Sequence, residues 1–351
     1  MRIAAGAAAL VGSALAVAPS AFSEPGHDQI PHYNHIVEIM MENQSYSDII
    51  GNTLAPNING LANKYGLASD YFGVTHPSEP NYVASIGGDY FGIQDDNQFY
   101  CTPAMASTDP TCTGTTVDHT VSAPNLATQL TDAGQTWKGY FQNLPYVDPS
   151  QAVSSGPHAN GPYTYKWPSN SNALYASKHN PFINFTATQG DLSSMVPDNQ
   201  LGTDLATGDL TNYSLVVPDQ CHDMHGTGGC SSTNGLIAAG DQYVGSTVQE
   251  VMASPTWKHG NNAIVVTWDE DDFSDSGQTG TGCCGSDPGG GHVVTIVITN
   301  HSDSHVTDST PANHYSMLKT MEQAFGLPCL AQACDASVQP LTALFANRSG
   351  D

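Results

Sequence analysis

Positive charge is scarce in this chain. Lys and Arg total 8 against 33 Asp and Glu, a formal net charge of −25 over 351 residues. Such a surface repels phosphate backbones and anionic headgroups, which excludes nucleic acid as a partner and argues against stable membrane association. Charged residues of both signs make up only 12% and apolar residues 39%. A core can therefore be filled, and a disordered polyelectrolyte is excluded. No stretch beyond the N-terminus is apolar and long enough to span a bilayer. No pair of cysteines has Cys-x-x-Cys spacing, which argues against a thiolate zinc site. Repeats and linkers are also missing, so the mature chain reads as one domain.

What is present at the N-terminus is an export signal over residues 1–23. Met1-Arg2 is a minimal basic start, Ile3 to Ala18 is apolar and small, and Ala21-Phe22-Ser23 offers a cleavage site. The mature protein, residues 24–351, is expected to begin near Glu24 and to be secreted or periplasmic. Eight cysteines in an exported chain point to disulfides. Local spacing suggests Cys101–Cys112, Cys221–Cys230 and Cys329–Cys334; adjacent Cys283 and Cys284 either bond each other or pair elsewhere.

Apolar runs predict strands over 34–41, 69–74, 136–141, 213–217, 262–267 and 292–299, and helices over 58–65, 78–86, 126–133, 238–252 and 314–325. The alternation implies a three-layer α/β sandwich around a mostly parallel sheet. The Tyr-, Ser-, Asn- and Pro-rich residues 145–181 would form a loop-rich cap. In open α/β sheets ligands gather beyond the carboxyl ends of strands. Polar clusters at 42–45, 78–81, 219–225 and 269–272 each follow a predicted strand, so distant segments would converge there.

Each cluster carries specific chemistry. In Thr75–Gly88 a hydroxyl, Ser78, heads a short helix as its N-cap, with Pro80 in the first turn and Gly87-Gly88 ending it. A helix N-terminus favours anions, so Ser78 could attack phosphorus while amides hold phosphoryl oxygens; a capping serine without chemistry is the competing reading. Glu42, Asn43, Asp269 and Glu270 supply oxygen donors suited to Ca²⁺, Mg²⁺ or Mn²⁺, with Zn²⁺ favoured if histidines join them. A chain so poor in cations needs a divalent metal ion if its substrate is a phosphate ester. His222-Asp223-Met224-His225 places two imidazoles three apart, either of which could protonate a leaving alkoxide. His179 beside Lys178, and His292 after Gly289–Gly291, are candidate substrate contacts, with a solvated loop pair and a strand cap as the alternatives.

Together these motifs resemble the phosphoesterase family of secreted acid phosphatases and non-specific phospholipases C. The matching segments are Met41–Tyr46, His76–Tyr82, Val217–His225, Thr267–Glu270 and His314–Glu322, in that order from about residue 33 to about residue 327. The resemblance implies an alkaline-phosphatase-like fold, a nucleophilic Ser78 that also serves the metal, and metal ligands Glu42, Asn43, Asp269 and Glu270. It also implies substrate or leaving-group contacts from His222 and Asp223, and Ser78–Asn81 is similar to the Thr-x-Pro-Asn element of nucleotide pyrophosphatases, which draws Asn81 to the site. Phospholipase-type members carry Asp-His-Val after the acidic pair; here Phe273-Ser274-Asp275-Ser276 lacks the histidine, and long C-terminal extensions are missing. Both departures favour a small phosphomonoesterase on soluble phosphate esters. A phospholipase C acting on choline or ethanolamine lipids is the near alternative, and a non-catalytic calcium-binding protein the distant one.

Overall fold

The computed structural model describes residues 29–96, 119–144, 174–230, 232–274, 280–302 and 304–346. Expectations for the export signal, Cys101–Cys112 and most of the cap fall outside these residues. A nine-stranded sheet organises the rest. Its strands are β1 (His35–Met41), β2 (Gly66–Phe72), β3 (Trp137–Phe141), β4 (Met195–Pro197), β5 (Tyr213–Val217), β6 (Asn262–Trp268), β7 (His292–Thr299), β8 (Val306–Asp308) and β9 (Ala312–Asn313). They run in the order β4-β3-β5-β1-β6-β7-β2-β8, with β9 beside β2.

Every neighbouring pair is parallel except those made by β7, which is antiparallel to both β6 and β2. One reversed strand has a topological consequence: β1, β5, β6 and β2 end at the same edge where β7 begins. The central strands are near-continuous apolar runs because both faces are covered; β5 and β6 are buried throughout and β7 from its second residue.

Helices α1 (Tyr46–Ile49), α2 (Pro56–Lys64), α3 (Ser78–Gly87), α4 (Leu126–Asp132), α5 (Gln200–Thr207), α6 (Thr233–Ala253), α7 (His314–Phe325) and α8 (Thr342–Phe345) complete the fold. α2 packs on α6, while α3 packs on α4 and α7. The fold is thus the expected α/β sandwich with a mostly parallel sheet. The expected strands and helices are all present, with ends shifted by a few residues. α1, α5, α8, β4, β8 and β9 lie outside the expected elements; all but α5 have four residues or fewer, too short for a periodic signal. Disulfides join Cys221 to Cys230, Cys283 to Cys284 and Cys329 to Cys334. No described helix is long and apolar enough to cross a membrane.

Candidate active site

Strand register brings the first acidic segment to the last. Met41 pairs with Trp268, so Glu42 and Asp269 leave adjacent strands side by side. The Asp269 amide bonds the Met41 carbonyl (3.1 Å), and the Asn43 amide donates to Asp269 Oδ1 (3.2 Å). Asn43 itself takes a positive φ of 52° as the chain turns off the sheet.

Ser78 arrives from β2. It is the first residue of α3, not its N-cap; Pro77 holds that position and offers no capping side chain, while Asp96 Oδ1 accepts from the Glu79 amide (2.9 Å). The reason lies in Asn81. Its Oδ1 accepts from the Val74 and Thr75 amides (2.8 and 3.1 Å), and its Nδ2 donates to the Thr75 and Pro77 carbonyls (2.6 and 3.1 Å). Asn81 therefore braces the turn and has no capacity left for substrate. The Ser78 hydroxyl is freed from capping and lies between two carboxylates, Glu42 Oε2 at 3.0 Å and Glu270 Oε1 at 3.1 Å. Lys178 Nζ approaches the same oxygen at 3.3 Å, and also meets Asp96 Oδ2 (2.7 Å) and His225 Nε2 (3.4 Å).

Beneath Ser78 the charges are buried. His179 sits between Glu42 Oε1 (2.9 Å) and Asp223 Oδ2 (3.3 Å), with its ring stacked on Tyr82. Burial would raise the Glu42 carboxyl, but His179, Lys178 and His225 override that and hold it down at about 2. Burial would lower His179, yet Glu42 and Asp223 carry it up to about 9. Burial raises Asp269 well above the carboxylate range, and the neighbouring charges of Glu42 and Glu270 add to the effect. Glu270 is raised by burial, against the pull of His76, whose Nδ1 lies 2.6 Å from Glu270 Oε2.

The expected site residues divide. Glu42, Ser78, Asp269 and Glu270 come together, and Asp223 and His225 flank them through His179 and Lys178. His179 is buried between Glu42 and Asp223 and presents no open face to a substrate. His222 turns away: its Nδ1 meets Asp219 Oδ1 (2.9 Å) and Gln142 Oε1 (3.0 Å), and its ring stacks on Tyr243. The short Asp219–His222 spacing lets that carboxylate capture it first. His292 caps β7, with Nε2 on the Ser69 carbonyl (2.8 Å) and its ring flat on Tyr46. His76 and Asp96 carry no expectation from the sequence, and Lys178 is expected only as a companion of His179, with a solvated loop pair as the alternative. For Lys178 the signal was its rarity, as one of only eight cations in the chain.

Glu42, Asp269, Glu270, Ser78 and Asn43 are hard oxygen donors. Asp269 Oδ2 is buried without a hydrogen-bond partner, and Glu42 Oε1 meets His179 only outside hydrogen-bond geometry. Uncompensated buried anionic oxygens are costly, and a cation would satisfy them. Among the described residues no group of three or more His, Cys, Asp or Glu is arranged to hold a metal as it stands. The donor set, hard oxygens with buried anionic atoms left unpaired, is of the chemical kind that suits a divalent cation.

Residues 52–328 match the model of the phosphoesterase family, so Glu42 and Asn43 precede the matched stretch. A phosphatidylinositol-3-phosphatase of Mycobacterium tuberculosis is 32% identical over 308 residues, covering 88% of this chain and 82% of that protein. An acid phosphatase of Aspergillus fumigatus is 26% identical and a phosphate-repressible acid phosphatase of Penicillium chrysogenum 23% identical. This chain spans 60% and 64% of their lengths while 91% and 89% of its own length is matched. In fold it is similar to an alkaline phosphatase superfamily protein from Vibrio parahaemolyticus, at 12% identity, with a TM-score of 0.53 over 90% of this chain and 71% of that one. With the geometry above, these likenesses lead to one conclusion: the chain belongs to the phosphoesterase family and is a hydrolase of phosphoric esters.

Proposed function

We propose that the protein is a secreted, metal-dependent phosphomonoesterase that works through a phosphoseryl intermediate on Ser78. The observation that carries this reading is the Ser78 hydroxyl, held at 3.0 and 3.1 Å between Glu42 and Glu270 with Lys178 at 3.3 Å. Ser78 Oγ attacks phosphorus, forming the Oγ–P bond as the bond to the leaving oxygen breaks. Glu270 Oε1, at 3.1 Å from the hydroxyl, takes its proton. Lys178 neutralises charge that gathers on the phosphoryl oxygens. His225 assists the leaving oxygen, and water then cleaves the phosphoserine.

A divalent metal would be held by Glu42, Asp269 and Ser78, with Asn43 and Glu270 adjoining. When bound it would lower the pKa of the serine hydroxyl and polarise a phosphoryl oxygen. Secretion is supported by the N-terminal sequence and by the Cys221–Cys230 and Cys329–Cys334 disulfides.

Likeness to a phosphatidylinositol-3-phosphatase, a name that denotes removal of a phosphate monoester, favours monoesters over the diester cleavage of a phospholipase C. The expectation is turnover of 4-nitrophenyl phosphate, lost in S78A, with acid-quenched wild type carrying phosphate on Ser78 by mass spectrometry. Retained activity in S78A removes Ser78 from this role. Faster release of phosphocholine from micellar phosphatidylcholine than of phosphate from any monoester would restore the phospholipase reading.

A further inference from the structure

We propose that Phe273 forms an aromatic wall at the mouth of the active site and selects phosphate monoesters whose leaving group presents a flat apolar face, an aryl phosphate being the simplest case. The inference rests on the phosphomonoesterase reading and deepens it. Phe273 follows the acidic segment Asp269–Asp272 and is 59% exposed, against 37% for Phe91 and Leu174, the other exposed large hydrophobic residues among those described. It joins neither hydrophobic cluster of the core. The core therefore does not account for this ring, and most of its surface is open to solvent.

Two further observations aim the ring at the reacting groups. Phe273 lies over the His76 imidazole, with ring centroids 4.1 Å apart and planes inclined by 29°. His76 bonds Glu270 Oε2 at 2.6 Å, and the other oxygen of Glu270 meets Ser78 at 3.1 Å. One ring thus separates Phe273 from a carboxylate that touches the nucleophile. The Phe273 backbone also holds a φ of 62°, a conformation that bulky side chains rarely adopt, pinned by its amide donating to Asp271 Oδ1 (3.1 Å). Asp271 is itself fully buried. A phenyl group held there, against backbone preference, presents a flat face beside the His76–Glu270 pair. Aromatic faces attract aromatic rings in offset or tilted stacks, so a phosphate held at Ser78 would bring an aryl leaving group onto this surface.

The test compares phenylphosphonate with methylphosphonate as competitive inhibitors, and phenyl phosphate with glycerol phosphate as substrates, in wild type, F273A, F273L and F273W. Inhibition constants remove leaving-group reactivity from the comparison. The preference for the phenyl ligand is expected to fall about three- to tenfold in F273A, the range of one aromatic contact. It should fall similarly in F273L, which keeps apolar bulk without a flat face, and persist in F273W. An unchanged preference in F273A, or equal weakening of both ligands in F273A and F273L, would overturn the proposal and leave Phe273 as a cover for the His76–Glu270 pair. Wild-type protein that hydrolyses neither ester would instead remove the phosphomonoesterase reading, and this inference with it.

Discussion

Lys138 and Lys178 both meet carboxylates of the interior, and they end differently. Lys138, on β3, meets Asp204 on α5, which also accepts from Tyr140 Oη and Gln200 Nε2, each at 2.8 Å. Burial would raise Asp204, but the bonds from Lys138, Gln200 and Tyr140 hold it below its ordinary range. One cation faces one anion, and each Asp204 oxygen has a partner. Lys178 stands instead among Asp96, Glu42 and Asp269, and it also meets the hydroxyl of Ser78. There several carboxyl groups face one lysine, and Asp269 Oδ2 is left without a hydrogen bond. A balanced cluster fastens β3 to α5. An unbalanced one in the same low-dielectric interior is poised for a ligand that brings positive charge, or for chemistry.

Chelation should separate them most sharply. Stripping divalent ions is expected to lower phosphatase activity by about 10³-fold or more, with recovery on adding metal back. The mid-point of thermal unfolding measured beside activity shows whether the loss is local to the site. Activity unaffected by exhaustive chelation would mean that Lys178, His179 and His76 suffice to hold the acidic cluster. Next in size, K178M should reduce kcat/KM about 10²- to 10³-fold. K138M should leave it within about twofold and lower stability by about 1–2 kcal/mol. Equal kinetic damage in both variants would erase the distinction between the two lysines.

A third buried carboxylate sharpens the comparison because burial dominates it. Glu38, in the middle of β1, accepts from Tyr213 Oη at 2.6 Å, and desolvation pushes it up to about 7 against that bond. Its folded value lies above the unfolded one, so its contribution is complete below about pH 4.5 and is lost as pH rises through about 7. The loss amounts to about 3 kcal/mol for a shift of this size. E38Q should remove that slope, making urea unfolding less pH-dependent between pH 4 and 8. A profile that stays as steep as wild type would place the titration elsewhere, for example at Glu322, raised by burial to about 8.

Much of this was legible in the sequence, for a physical reason. Long apolar strands buried on both faces announce themselves, and in a parallel sheet polar residues that follow them must meet at one edge; Glu42, Ser78 and Asp269 were found that way. The reversal of β7 was not legible, since an antiparallel strand buried on both faces has the same composition as a parallel one. Side-chain direction was also beyond reach. Nothing in the order of residues says that Asn81 would spend all its bonds on the turn at 74–77, or that His292 would lie flat on Tyr46. For Lys178, weighed with His179, the sequence favours a solvated pair, because a lysine between serine and histidine in a loop is ordinarily solvated. Only the fold shows the buried acids that draw it in.

The pair His222 and His225 is the finest version of the same contrast. Three residues apart, they share a loop and a neighbouring disulfide, Cys221–Cys230. His222 is 40% exposed in its side chain and hydrogen-bonded to Asp219, which with burial opposing it keeps the imidazole above its ordinary range. That is the balanced arrangement of Lys138 in miniature. His225 fixes Nδ1 on the Gly226 carbonyl (2.9 Å) and turns Nε2 toward Lys178, on the unbalanced side. H225N is expected to lower kcat/KM by about 10²-fold, more for esters with poor leaving groups than for 4-nitrophenyl phosphate, because a departing nitrophenolate needs little protonation. H222N should change either substrate by no more than about threefold, while loosening the loop through the loss of its bond to Asp219. If the leaving-group dependence follows His222 instead, the hydrogen bond to Asp219 would have to be read as orienting an acid, and the balanced cluster as part of the chemistry.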